Sequence, residues 1–195
     1  MHDKVLKSAK LETGGFNFDH LFTNVKGFIE EADLAMVNQE TIIGGSVFGY
    51  TGYPSFNTPN ELVEAEINAG FDVLLFATNH AYDKGKKGVL NCIEFLDTTY
   101  PDLGYVGVNH SEEDRDNIYT YEANGIKVAI LNYTYGTNGM PFPADMGKVS
   151  RGKGTMFNSN PLKSYFFIGI ICMIMVNLNI HGFKMFLYPY QNIQH

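Results

Sequence analysis

The chain has 195 residues, of which 45% are hydrophobic and 18% charged, and this composition excludes disorder over most of its length. Its 14 Lys and Arg stand against 21 Asp and Glu, so the net charge of −7 argues against a general nucleic-acid binder. The two cysteines, Cys92 and Cys172, form no CxxC pair, no disulfide framework and no zinc-ribbon spacing.

The first third of the chain predicts a helix, a strand and a loop. Apolar residues recur with a helical period over residues 18–31, and the apolar run over 34–37 predicts a buried strand. Glycines and prolines crowd the segment that follows, which predicts a loop over 44–60.

The middle of the chain continues the alternation of helices and strands. Thr58 fits the N-cap of a helix that has Pro59 in its first position and ends near Gly70. We then expect a strand over 71–77, a helix over 89–96, a strand over 105–108, and a hairpin that joins 119–122 to 127–131 through Asn124-Gly125. This order is typical of an α/β domain whose central strands are buried.

The composition changes abruptly near residue 146. Residues 1–145 hold 9 basic and 21 acidic residues, a net charge of −12, whereas residues 146–195 hold five basic residues and no acidic residue, a net charge of +5. We therefore predict a domain over 1–146 and a divergent tail over 147–195. The apolar run over 165–176 in this tail is shorter than the roughly 20 residues of a membrane-spanning helix, which favours a buried strand or an aberrant tail. No apolar segment follows Met1, so no export signal is predicted.

Polar side chains that could carry chemistry follow three of the predicted strands. They are Asn38 and Glu40 after the first strand, Asn79, His80 and Asp83 after the second, and Asn132, Tyr133, Thr134 and Asn138 after the last. Ligands of open α/β sheets bind beyond the carboxyl ends of the strands. If the strands are parallel neighbours, we expect all three groups to meet in one crevice.

The residue types in this crevice suit a hard cation and a proton-transferring histidine. Glu40 and Asn79 offer carboxylate and amide oxygens, which Mg²⁺ or Mn²⁺ prefers. His80 could bind the metal or move a proton, and Asp83 could orient its imidazole ring. The alternative is that Asn79 and His80 only satisfy the backbone of a turn.

A basic cluster, Lys84, Lys86 and Lys87, lies beside Asn79 and His80 in the sequence. It could attract an anionic substrate, although a solvated helix end is the more ordinary explanation. Neither a P-loop nor a GxSxG nucleophile motif is present, and neither cysteine has a base close to it in sequence.

Four segments in the same order resemble the CapA-type capsule synthesis family, the poly-γ-glutamate biosynthesis proteins related to calcineurin-like metallophosphatases. An aspartate and an apolar strand lead into Asn38-Gln39-Glu40-Thr41, and Tyr53-Pro54-Ser55-Phe56-Asn57-Thr58-Pro59 follows. Asn79-His80-Ala81-Tyr82-Asp83-Lys84-Gly85 is similar to the family's Asn-Asn-His-Ala-x-Asp-x-Gly signature. The fourth segment is Asn132-Tyr133-Thr134-Tyr135-Gly136-Thr137-Asn138-Gly139.

The resemblance implies a metallophosphatase-like layered α/β sandwich with a metal cleft, incomplete in this chain. It places Glu40 and Asn79 at metal-ligand positions and His80, oriented by Asp83, at a catalytic position. The substrate-binding residues that we expect are His2, Asn38, Tyr133, Thr134 and Asn138. The cofactor is a divalent metal whose identity stays open among Mn, Mg, Fe and Zn, and two such cations could clamp a phosphoryl group.

The resemblance also implies a cellular role and raises alternatives. Family members work at the outer face of the bacterial membrane, with an anionic polymer or its precursor and with components of a membrane-bound polymer synthase. In the family a Gly-Asp-x-Met-x-His strand comes first, of which Met1-His2 matches only the end, and the residues after Met146 do not align with the family's His-x-Gly-x-Glu segment. The alternatives to hydrolytic or transfer chemistry are therefore a non-catalytic polymer-binding component and an inactive gene fragment with exposed strand edges.

Overall fold

The computed structural model describes residues 1–110, 117–134 and 136–140, together with the backbone of 172–176 and 185–188. Its helices are α1 (Asp3–Ala9), α2 (Lys26–Glu30), α3 (Glu61–Ala69) and α4 (Gly85–Thr99). Its strands are β1 (Leu34–Asn38), β2 (Val73–Leu75), β3 (Gly104–Val106), β4 (Tyr119–Ala123), β5 (Ile126–Asn132), β6 (Cys172–Val176) and β7 (Met185–Tyr188).

The strands form two sheets of different kinds. A parallel sheet has the order β3-β2-β1-β7, and an antiparallel sheet has the order β4-β5-β6. The register of the parallel sheet pairs Asn38 with Leu75, so the carboxyl ends of β1 and β2 lie side by side. This confirms that the first two groups of polar residues share one edge of a parallel sheet.

The parallel sheet is covered on both faces, because side chains alternate along each strand. Leu34 and Met36 of β1 pack with Val128 and Ile130 of β5 in the layer between the two sheets. Ala35 and Val37 of β1 belong to the larger apolar cluster that the helices cover. The result is three layers, helices on a parallel sheet on an antiparallel sheet, and it confirms the predicted α/β class, consistent with a metallophosphatase-like sandwich.

Two local predictions are wrong. Residues 18–31 do not form one helix but a 3₁₀ turn at Asp19–Leu21 followed by α2. The N–H groups of Leu21, Phe22 and Val25 bond carbonyl oxygens three residues back, which interrupts a continuous α-helical pattern. Helix α3 begins at Glu61 rather than Pro59, and Thr58 is not its N-cap. The end of α3 is as predicted, since Gly70 takes the left-handed conformation with a φ of 102° that a side chain would disfavour.

The hairpin prediction is confirmed. β4 and β5 pair in antiparallel register around Asn124 and Gly125, whose φ angles are 52° and 74°. Two consecutive residues with positive φ suit the Asn-Gly turn that matches the twist of a hairpin.

Residues of the predicted tail contribute a strand to each sheet. β6 pairs with β5, and β7 pairs in parallel with β1, with Leu34 opposite Met185 and Ala35 opposite Phe186. The edge of β1 on this side is therefore paired, whereas the inactive-fragment alternative predicted exposed strand edges. The domain boundary at residue 146 stays a prediction, and most of the apolar run over 165–176 lies outside the described residues.

Candidate functional site

The loops that leave β1 and β2 are held together directly above the parallel sheet. Thr41 and His80 form an isolated parallel bridge, and the hydroxyl of Thr78 donates a hydrogen bond to the carbonyl oxygen of Glu40. Glu40 and Asn79 each precede a member of the bridged pair. The two predicted metal ligands therefore stand next to each other on adjacent loops.

His80 is oriented by Asp83, as the sequence predicted. The Nδ1 of His80 lies 2.7 Å from Asp83 Oδ2, and the same carboxylate oxygen accepts the backbone N–H of Phe56 at 2.7 Å. Because a carboxylate only accepts hydrogen bonds, the hydrogen is on Nδ1 and the lone pair of neutral His80 is on Nε2. The side chain of Asp83 is 1% exposed, so its position favours holding the ring rather than meeting a substrate.

A series of aromatic contacts links His80 to His2, near the start of the chain. The ring of Phe56 meets His80 edge to face at a centroid distance of 4.6 Å and His2 in the same way at 5.2 Å. The ring of Tyr53, which is 76% exposed, lies nearly parallel to His2 at 6.5 Å. The structure thus brings His2 to the same side of the site as His80.

Asn138 comes to the site from the second sheet. Its amide nitrogen donates hydrogen bonds to Asp83 Oδ1 at 3.2 Å and to the carbonyl oxygen of Pro54 at 2.9 Å. One member of the third polar group, Asn138, therefore reaches the second group at Asp83, although β5 is not a neighbour of β1 or β2.

Tyr133 and Thr134, by contrast, are only half-buried. The hydroxyl of Thr134 bonds Gly136 O within its own loop at 3.2 Å, and no contact of Tyr133 or Thr134 with His80 or Asp83 is found in the part of the chain that the structure describes. Their substrate-binding role stays a prediction.

A buried hydroxyl pair lies beneath the same loops. Thr41 Oγ1 and Thr58 Oγ1 are 2.6 Å apart, and the Met1 nitrogen donates to Thr58 Oγ1 at 3.2 Å. Burial lowers the pKa of the Met1 amino group to about 5, whereas the negative charges of Glu40 and Asp83 act to raise it. Both carboxylates therefore lie near enough to the Met1 amino group to act on its charge.

The two predicted metal ligands are uncommitted, in the sense that their side chains have no bonding partner among the described residues. Glu40 and Asn79 are half-buried, and within the described residues neither side chain makes a hydrogen bond or ion pair. A carboxylate and an amide oxygen on neighbouring loops suit a hard cation. They form only part of a shell, since no group of three His, Cys, Asp or Glu placed to hold a metal occurs in the described ranges.

Two buried asparagines lie at the ends of strands β1 and β5, where the layer between the sheets meets the site. Asn38 is 2% exposed and its amide oxygen has no hydrogen-bond partner in the described structure. Asn132 is fully buried, and its Oδ1 accepts the backbone N–H of Ala77 at 2.6 Å. A side chain at Gly107 would collide with Ala77 N and Asn132 Oδ1, so this approach requires glycine.

Sequence reasoning did not assign roles in the site to Phe56 or Ser55. The ring of Phe56 lies between the two histidines. The ammonium of Lys84 donates hydrogen bonds to the carbonyl and hydroxyl oxygens of Ser55, both at 3.1 Å. Both residues lie in the segment Tyr53-Pro54-Ser55-Phe56-Asn57-Thr58-Pro59, the second of the four that resemble the family, and this resemblance is the sequence signal that points to them. The ammonium of Lys84 is therefore bonded to the loop that carries Phe56, and the two explanations of the cluster Lys84, Lys86 and Lys87 stay predictions.

No helix within the described ranges is both long enough and apolar enough to cross a membrane.

Comparison with known proteins gives a family match and a curated relative. The family model described as bacterial capsule synthesis protein PGA_cap matches residues 1–164. Capsule biosynthesis protein CapA of Bacillus anthracis is 30% identical over 123 residues, which cover 61% of this chain and 29% of that protein. The chain thus spans less than a third of the length of this relative.

Proposed function

Since this chain belongs to the bacterial capsule synthesis protein family, we propose that it binds a divalent cation through Glu40 and Asn79 and acts on a capsule polymer or its precursor. The proposed chemistry is hydrolysis or group transfer on an anionic polymer or a phosphorylated substrate, with His80 as the proton-transferring residue. The observation that carries the proposal is the pair of uncommitted oxygen ligands beside a histidine that a buried carboxylate orients.

The proposed role of His80 follows from its hydrogen bonds. Asp83 holds the Nδ1–H, which leaves Nε2 to accept a proton from an attacking group or to return one to a leaving group. Phe56 packs against the ring and limits its rotation. When bound, the cation would polarise a phosphoryl or carbonyl oxygen and offset charge that develops on it.

The charges of the site support a cation requirement for an anionic substrate. Glu40 and Asp83 place negative charge near the Met1 amino group, and the ammonium of Lys84, whose Ser55 partners are neutral oxygens, offsets only part of it. A polyanion that approaches these carboxylates is repelled unless a cation intervenes. We therefore expect polymer binding to depend on the metal.

The proposal extends to the substrate and the cellular location. Poly-γ-glutamate is the anionic polymer that the family resemblance implies, and a cell-envelope location with membrane-bound synthase components fits capsule synthesis. The name of the relative, capsule biosynthesis protein, supports the polymer class only at that general level.

The test is a calorimetric titration of the purified chain with Mn²⁺. Glu40→Ala combined with Asn79→Ala is expected to abolish saturable binding, because the variant loses both uncommitted oxygen ligands. Glu12→Ala, which removes an exposed carboxylate, is the matched control and should bind as the wild type does. Circular dichroism must show that the double variant is folded.

Unchanged Mn²⁺ binding in the folded double variant would contradict the proposal. It would favour the second candidate, a non-catalytic polymer-binding component, for which the exposed ring of Tyr53 beside His2 is a suitable contact.

A further inference from the structure

We infer that Asn138 is a positioning residue, which fixes the carboxylate of Asp83 and through it the ring of His80. The inference rests on the proposed function, because it assigns Asn138 to the support of the proposed proton-transferring histidine. It gives Asn138 a role different from direct substrate binding. Three loops meet at this one side chain: the segment after β5, the loop at Pro54 and the turn between β2 and α4.

The two oxygens of Asp83 have separate partners. Oδ2 is shared by His80 Nδ1 and the N–H of Phe56, each at 2.7 Å. Among the described residues, Asn138 is the side chain that donates to Oδ1, at 3.2 Å. Without that donor a buried carboxylate oxygen lacks a partner, and the carboxylate can turn away from the geometry that holds His80.

Asn138 is an exposed residue, but its amide nitrogen is directed at the His80–Asp83 pair. Its nitrogen uses one hydrogen for Asp83 Oδ1 and has a second acceptor in the Pro54 carbonyl oxygen at 2.9 Å. The Pro54 contact anchors the amide on the loop that also supplies Phe56, whose N–H and ring both contact the His80–Asp83 pair. Asn138 therefore ties together the parts that hold the histidine.

The backbone explains why asparagine suits this position. Asn138 has a φ of 54°, in the left-handed region that asparagine and glycine adopt more readily than other residues. Asn124 in the hairpin turn has a φ of 52°, is also followed by glycine, and bonds Asp33 through its side chain. Glycine at either position tolerates the left-handed backbone and removes the side chain with its amide, so any added backbone freedom is common to both variants.

The experiment compares Asn138→Gly with the matched control Asn124→Gly by NMR at a single alkaline pH. The ¹⁵N shifts of the His80 ring report which ring nitrogen carries the hydrogen. We expect mainly the Nδ1–H form in the wild type and in Asn124→Gly, and a shift toward the Nε2–H form in Asn138→Gly. The Phe56 amide should exchange about tenfold faster in Asn138→Gly, the effect of losing about one hydrogen bond.

A second variant, Asn138→Asp, also tolerates the left-handed backbone but cannot donate to Asp83, and it should shift the ring in the same direction. His80 ring shifts and Phe56 exchange that match the wild type in both Asn138 variants would overturn the inference. These readouts need no metal and no substrate. A titration that shows no loss of Mn²⁺ binding in the double variant would therefore count against the proposed function and would not bear on the role of Asn138. NMR spectra that match the wild type would count against the role of Asn138 and would not bear on Mn²⁺ binding.

Discussion

At the scale of single residues, the two asparagines at the strand ends show how similar burial can conceal different roles. Asn132 satisfies the N–H of Ala77, so its side chain contributes to the structure. Asn38 is similarly inaccessible, yet its amide oxygen has no partner in the described structure, whereas in Asn132 it is the amide nitrogen that lacks one. A buried polar group without a partner is costly, and such groups are retained in proteins where function needs them. This agrees with the predicted substrate-binding role of Asn38, which stays a prediction.

The contrast gives a prediction for stability. Asn132→Leu should lower the free energy of unfolding by about 1–3 kcal/mol, because the buried N–H of Ala77 loses its acceptor. Asn38→Leu should be neutral or stabilising, because it removes an unsatisfied buried group and keeps a similar volume. Urea denaturation of the two variants measures both effects. An equal loss of stability in the two would show that Asn38 has a structural partner.

At the scale of elements, helix α3 carries an ionisable group into the apolar layer. Leu62, Val63, Ala65 and Ala69 of this helix are buried as an amphipathic pattern predicts, but Glu66 is also fully buried and neither carboxyl oxygen has a hydrogen-bond partner in the described structure. Burial raises the pKa of Glu66 well above 4.5. Burial likewise raises the pKa of the Cys92 thiol on α4 to about 12, so this thiol is unreactive in the folded chain.

The raised pKa of Glu66 makes the stability of the chain depend on pH. Above pH 4.5 the unfolded state releases the proton of this carboxyl while the folded state keeps it, so this group lowers the free energy of unfolding as the pH rises toward its folded pKa. The slope can reach about 1.4 kcal/mol per pH unit. Glu66→Gln should remove this part of the slope in urea denaturation at several pH values.

Glu64→Gln, on the exposed side of the same helix, is the control and should leave the slope as in the wild type. If Glu66→Gln keeps the wild-type slope, Glu66 is not the source of the pH dependence.

At the scale of the whole molecule, residues near the two ends of the chain share one sheet. β7 lies against β1 in parallel register, and β6 extends the second sheet beside β5. The pairing covers an edge of β1 that would otherwise present unpaired backbone groups, which promote aggregation. The inactive-fragment alternative predicted exposed edges, and at β1 the structure shows a paired edge instead.

Proline substitutions in β7 test this pairing. Phe186→Pro and Leu187→Pro are compared with each other. Adjacent residues of a strand direct their N–H groups to opposite sides, so one of the two variants must remove a hydrogen-bond donor to β1. That variant should melt at a lower temperature and scatter more light after heating. Phe186→Val and Leu187→Val keep the backbone N–H and should change both readouts much less. Proline variants that behave like the valine variants would mean that the pairing adds no stability.

Local pattern was sufficient for part of the fold and of the site. The buried strand that precedes Asn38, the Asn124-Gly125 hairpin and the end of α3 at Gly70 depend on periodicity and on turn chemistry within a few residues. The pairing of His80 with Asp83 was also predictable, since three residues separate them in one turn. The prediction that Thr58 caps α3 is wrong. A threonine before a proline fits an N-cap locally, but the hydroxyl of Thr58 bonds that of Thr41, which is distant in the sequence.

The family, the α/β class and the sets of polar residues that leave the strands can be read from the chain's residues alone, because these are properties of short segments and their order. Three contacts depend instead on how the elements pack: Asn138 bonds Asp83, Phe56 lies between His2 and His80, and β7 pairs with β1. Each of these contacts joins residues that are far apart in the chain. They form when the sheets and helices bury their apolar faces together, and no local pattern records which loops that burial brings into contact.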